Sequence, residues 1–249
     1  MRRAYLLISV LLILTLWTAG CRRPDIIKGM TDFDRAYIPA FFFTEIEELE
    51  HSKQAMEFLN AEWESLKAKY PKEMESDPEW ERDALRIEQM MVSANRILDT
   101  TENFEDAHEA LEYIRGILFE FRRRNGIDYY LDHLNEFHEV MGDFVWILEY
   151  RTPETLNVDD TTWIEGRVEE AVNLWGEFRR AEFDPSAFGL SVKKKALLRA
   201  QTKLEADALE ALTQAIRRKD KEAIFAATEA VKQHFQAVYL LFGDFERVK

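Results

Sequence analysis

Residues 104–126 read FEDAHEALEYIRGILFEFRRRNG. Phe104, Ala107, Leu111, Ile114, Leu118 and Phe121 recur at spacings of three and four, which lays them along one face of an α-helix. Arg122, Arg123 and Arg124 fall in the last turn, where the helix dipole favours cations, and Gly126 supplies the stop. The stretch therefore predicts a helix ending near residue 124. Its neighbours repeat the pattern in both directions.

Upstream, Ser76-Asp77-Pro78-Glu79 offers a capping oxygen, a first-turn proline and an early acid, followed by the stripe Trp80, Ala84, Ile87, Met91, Ala94 and Leu98. Before it, Phe42, Leu49, Met56, Trp63 and Tyr70 recur every seven residues, with Ile46, Leu59 and Leu66 between them, and predict one long helix from Phe33 to Tyr70. The aromatic run Tyr37-Ile38-Pro39-Ala40-Phe41-Phe42-Phe43 continues that stripe and reads as core. Downstream, Asp128 can cap a helix carrying Leu134, Phe137, Met141, Val145 and Leu148, broken at Thr152-Pro153. Ile164, Val168, Ala171, Trp175 and Phe178 mark the next, stopped at Asp184-Pro185. Ser191 opens one with Leu197, Leu204, Ala208, Ala211 and Ala215 inward, and Asp220 opens the last, with Ile224, Ala227, Val231, Phe235, Val238 and Leu241. No segment alternates with period two. The expectation is an all-α antiparallel bundle of about seven long helices over residues 33–249.

Composition agrees. The chain has 249 residues, 47% hydrophobic and 32% charged, with only 9 Gly and 6 Pro, too few to turn a many-stranded β protein. A formal charge of −14 excludes nucleic acid as a partner, because phosphate binding needs an excess of Lys and Arg. One cysteine excludes a disulfide framework. There is also an internal echo: Ile97, Phe104, Ala107, Ala110 and Leu118 reappear as Ile216, Ile224, Ala227, Ala230 and Val238, while Phe33-Asp34, Phe43 and Glu45 reappear as Ile127-Asp128, Phe137 and Glu139. A degenerate duplication of a helical unit would produce it, and so would chance alignment of amphipathic helices.

The N-terminus reads as an address. Arg2 and Arg3 precede an apolar run from Tyr5 to Trp17 that is shorter than the ~20 residues a membrane-crossing helix needs, and Thr18-Ala19-Gly20-Cys21 follows. In Ala19-Gly20-Cys21 the chain resembles bacterial lipoproteins, although Thr18 stands where an aliphatic residue is usual. The resemblance implies a signal peptide over 1–20, cleavage after Gly20, palmitate-type acylation of Cys21 and a tether over 21–32. It implies export to a membrane surface facing the periplasm, with the outer membrane favoured in a Gram-negative cell because Arg22 is not an aspartate. The body resembles only uncharacterised helical-bundle lipoproteins. A binding or scaffold role in the envelope is the expectation, with an envelope protein or anionic polymer as partner.

The alternative is a cofactor-binding bundle. Glu105 and His108 form a Glu-x-x-His pair and Glu112 shares their face, the spacing that di-metal bundles use. The equivalent second pair is missing at Phe225-Ala226-Ala227-Thr228. What remains is a single transition metal held by His108 with Glu105 or Glu112, and His138 or Glu139. His234, late in the final helix, is similar in place to the axial ligand of b-type haem bundles, with Met30 or Met56 as the sixth ligand. Hydrolase motifs are absent, there being no Gly-x-Ser-x-Gly, no His-Glu-x-x-His and no phosphate-cradling glycine loop, so no catalytic residue is assigned. Finally, if helices alternate up and down, Arg122, Arg123, Arg124, Lys193, Lys194 and Lys195 gather in a basic patch at one end. A first helix of about 35 residues would carry that patch on the order of 50 Å from the membrane.

Overall fold

The computed structural model describes residues 24–248. The signal peptide and Cys21 lie outside the described residues. Helices follow in the order α1 (Pro24–Glu45), α2 (Leu49–Lys69), a short α3 (Pro71–Glu75), α4 (Trp80–Thr100), α5 (Phe104–Arg124), α6 (Asp132–Glu149), α7 (Val158–Arg180), α8 (Val192–Arg218) and α9 (Lys221–Tyr239). Two 3₁₀ turns, Leu240–Phe242 and Phe245–Arg247, close the chain. No strand occurs among the described residues, and none of their helices is long and apolar enough to cross a membrane.

The helices form two four-membered rings in series. In the first, α1 packs on α2, α2 on α4, α4 on α5 and α5 back on α1. In the second, α6, α7, α8 and α9 close in the same order. The repeat extends to a turn: Glu102 and Lys219 both adopt positive φ (51° and 57°), and Asn103 and Asp220 directly after them each accept a backbone N–H three residues on. The echo aligns α4–α5 with α8–α9 and α1 with α6, which is the correspondence the two rings show.

Two expectations change at the N-terminus. The single helix from Phe33 to Tyr70 is instead the hairpin α1–α2, reversed at Ile46-Glu47-Glu48 with Glu47 at φ 59°. Three residues of turn replace about one turn of helix, so the apolar phase passes through the reversal unbroken. The described residues consequently form eight long helices. The part of the expected tether that the structure describes is not a linker either. Residues 24–32 are the first turns of α1, with Ile26, Met30 and Thr31 buried. Residue Gly29 of α1 lies against Tyr70 and Leu66 at the end of α2.

Helix α1 is buried nearly all round because it serves both rings. Phe33 meets Trp63 edge-on at 5.9 Å and Tyr37 stacks towards Phe41 at 5.6 Å, as the core reading of that aromatic run requires. Pro39 sits inside α1 and has no N–H, so the Arg35 carbonyl lacks its helical donor. The Asp244 N–H supplies one at 2.9 Å, and the Arg35 guanidinium reaches the Asp244 carboxylate at 2.5 Å. A helix breaker thus creates the attachment point for the C-terminal segment.

Candidate functional site

Helices α5 and α6 are consecutive in the chain but belong to different rings, and each packs on its own ring partners rather than along the other. At their junction lies a buried polar seam. Arg122, 1% exposed, ends α5 and holds the Asp132 carboxylate with Nε at 2.8 and 3.0 Å and Nη2 at 2.5 Å. Its guanidinium lies 4.6 Å over the Tyr129 ring, and the Tyr129 hydroxyl donates to Asp34 of α1 at 2.6 Å. Burial lifts the Asp34 carboxyl to about 6, against the pull of Arg122 and of the Tyr129 hydrogen bond. Two turns earlier on α5, Arg115 is only 10% exposed and reaches the Tyr239 hydroxyl, with Glu112 at 3.4 Å.

Above this seam the rings leave a groove of about 870 Å³, lined by Arg82, Asp83 and Arg86 of α4, by α5 from Glu109 to Arg124, and by His138, Glu139, Gly142 and Asp143 of α6. A second cleft of about 480 Å³ continues from Gly142 and Asp143 past Trp146 to Asp159, Asp160 and Trp163 of α7. Two mid-helix glycines, Gly116 on α5 and Gly142 on α6, line it. A Cβ at either would meet nothing within 4 Å, so ring packing does not require these glycines. Replacing either with alanine removes backbone entropy from the unfolded chain, and each variant should gain about 0.5–1 kcal/mol in urea denaturation. A loss of stability would show that the helices need these glycines themselves. Large rings stand exposed beside them: Tyr113 at 55%, Trp146 at 61% and Trp163 at 43%.

Of the proposed metal ligands, Glu112, His138 and Glu139 line the groove, whereas Glu105 is exposed in the first turn of α5. His108 is occupied elsewhere: its Nδ1 lies 3.1 Å from Thr44 Oγ1 and 3.2 Å from the Phe41 carbonyl, and its ring stacks on Phe41 at 3.9 Å. Among the described residues no three of His, Cys, Asp and Glu come together to hold a metal ion. The physical obstacle is Arg115, a fixed cation facing the same groups. Burial first, then Arg115 and His108, hold the His138 imidazole well below its usual range. The haem reading meets a similar correction. His234 bonds Gln201 across α8 and α9 at 3.2 Å, while Met30 and Met56 are buried in the other ring.

The basic patch also dissolves. Arg122 is buried against Asp132, Arg123 pairs with Glu120 at 2.7 Å, and Arg124 bridges Asp77 at 2.8 Å and Asp83 at 2.6 Å. Lys194 donates to the carbonyls of Leu241 and Gly243, leaving Lys193 and Lys195 outward. That end also faces the other way, because splitting the first helix brings the start of α1 to the same end as the close of α2.

The seam residues Asp34, Arg115 and Tyr239, the groove glycines and the two exposed tryptophans were not singled out from the sequence. The available signal was glycine inside two strong helical patterns. No protein-family model, no curated protein and no solved structure matches this chain.

Proposed function

We propose that the protein is an exported lipoprotein, held to a membrane by acylated Cys21, that works by binding a partner in the groove between its two four-helix rings. The groove carries the binding half of this reading. Two helix-interior glycines, at which a Cβ would meet nothing, and three largely exposed aromatic rings border it and its continuation. Glycine in a helix costs about 1 kcal/mol relative to alanine, and exposed tryptophan is unfavourable in water, so both features fit a surface that something else covers. The anchoring half rests on Ala19-Gly20-Cys21 behind a basic and then apolar leader. Multiple acyl chains hold firmly, at about 0.8 kcal/mol per buried CH₂. With Arg22 after the cysteine, the outer membrane of a Gram-negative cell is the proposed address.

Mass spectrometry of the mature N-terminus from native membranes tests the anchor. The expected species begins at Cys21 with diacylglycerol in thioether linkage and an acylated amine. A chain beginning elsewhere, or a Cys21 with a free thiol, removes the anchor from the proposal.

A further inference from the structure

The geometry points to a specific occupant for the groove: a short lysine- or arginine-bearing peptide segment of a partner protein. This inference rests on the reading of the groove as a binding surface. Its charge is uneven along its length. At the α4 end the arginines are already compensated, Arg124 by Asp77 and Asp83, and Arg82 by Glu79. Towards α7 the carboxylates dominate, and not all are neutralised by a cation of the chain. Asp143 is held by Arg167 at 2.6 Å and Asp160 by Arg151 at 2.9 Å. Glu109, Glu139 and Asp159 have no salt bridge among the described residues, although Arg115 stands near Glu139. Three solvent-facing carboxylates without an ion-pair partner among the described residues line the two adjoining clefts, which meet at Gly142 and Asp143.

The aromatic rings point the same way. An exposed indole presents a negative π-face that attracts ammonium and guanidinium groups. Trp163 already serves so within the chain, with the Arg167 guanidinium 5.9 Å from its ring centre. Trp146, exposed on the opposite wall, has no cation over its ring among the described residues. The bare walls at Gly116 and Gly142 let a main chain approach closely enough for its side chains to reach these groups. The α5 wall from Glu109 to Arg124 runs for roughly 22 Å at 1.5 Å per residue, the span of six or seven extended residues at about 3.3 Å each. The formal charge of −14 steers a basic segment inward from a distance.

The test uses the full chain in uncharged detergent micelles with three fluorescein-labelled probes, hexalysine, hexaglutamine and hexaglutamate, read by fluorescence anisotropy at low salt. Hexalysine is expected to bind and the other two are not. Glu139→Gln with Asp159→Asn should weaken hexalysine at least tenfold, and so should Gly142→Leu, whose Cβ stands in open space and whose side chain would occupy the cleft. Glu210→Gln with Glu229→Gln, on α8 and α9 away from the groove, should change it less than twofold. Equal losses from the two carboxylate pairs, or full binding to Gly142→Leu, overturn the inference by showing attraction to the acidic surface at large. Hexaglutamine or hexaglutamate binding that Gly142→Leu abolishes overturns the cationic occupant while leaving the groove a binding surface. Binding of no probe removes both.

Discussion

Replacing Glu205 with glutamine should stabilise the folded chain at pH 7 by about 3 kcal/mol, an unusual sign for a substitution at a fully buried position. Glu205 sits on α8 at 0% exposure, inside the second ring among Leu198, Ala208, Leu209 and Leu212. Among the described residues neither carboxyl oxygen has a hydrogen-bond partner of good geometry. Burial raises its pKa to about 9, with only a weak opposing pull from the Phe235 backbone. The folded chain therefore carries a proton on Glu205 at neutral pH that the unfolded chain releases near 4.5. Between these values the native state binds more protons than the unfolded state, so stability falls as pH rises, by about 1.4 kcal/mol per pH unit. Glutamine has the same shape and nothing to ionise. Urea denaturation of both proteins at pH 5, 7 and 9 should show small, intermediate and large gaps in favour of the variant. Parallel profiles would mean that Glu205 finds a partner or water in solution. Measuring the difference is necessary because His138, kept neutral by burial, tilts the profile of both proteins the opposite way below about 6.5.

Glu205 also shows where a sequence stripe misleads. The spacing in α8 places Leu197 and Leu204 inward, yet each is 41% exposed. Ala208 and Ala215 are buried as that spacing predicts, but the rest of the buried row lies one residue on, through Leu198, Glu205, Leu209, Leu212 and Ile216. Reading glutamate as solvated moves the leucine edge of the face by one position, because a charged residue in the true row counts against it. Elsewhere the stripes were legible: α4, α5, α6, α7 and α9 bury nearly every residue the spacing placed inward. Caps at Ser191 and Asp220 hold as read, since each side chain accepts the backbone N–H three residues on. Asp128 does not open α6, which starts at Asp132, and Asp77 folds into a turn and takes Arg124. Short-range chemistry fixes a helix and its ends. It cannot say that α5 and α6 will stand apart, since that spacing depends on which rings they join. Three of the five residues offered as metal ligands, Glu112, His138 and Glu139, therefore line the groove for reasons unrelated to metal.

The spacing of those two helices depends on Arg122. Arg122→Leu should cost about 3–5 kcal/mol, far more than a surface ion pair. The substitution leaves the Asp132 carboxylate, 16% exposed, without the guanidinium that now meets both its oxygens. It also removes the largest influence holding Asp34 down, so the Asp34 carboxyl should rise above about 6 in a carboxyl NMR titration. Arg122→Lys keeps the charge but cannot engage both oxygens with a planar fork, and should fall between wild type and leucine. Pairing Arg122→Leu with Asp132→Leu should recover much of the loss, because a buried ion pair removed whole leaves neither charge stranded. A loss below 1 kcal/mol for Arg122→Leu, or a double variant no better than the single, would mean that water reaches this seam and screens it. The consequence for binding follows from position. Arg122 joins the end of α5 to the start of α6, while Tyr129 between them reaches α1. Those are the helices that carry Gly116 and Gly142, so a chain weakened at Arg122 but still folded should hold the groove walls less firmly. It should bind hexalysine more weakly than Glu205→Gln does, although both sites are fully buried.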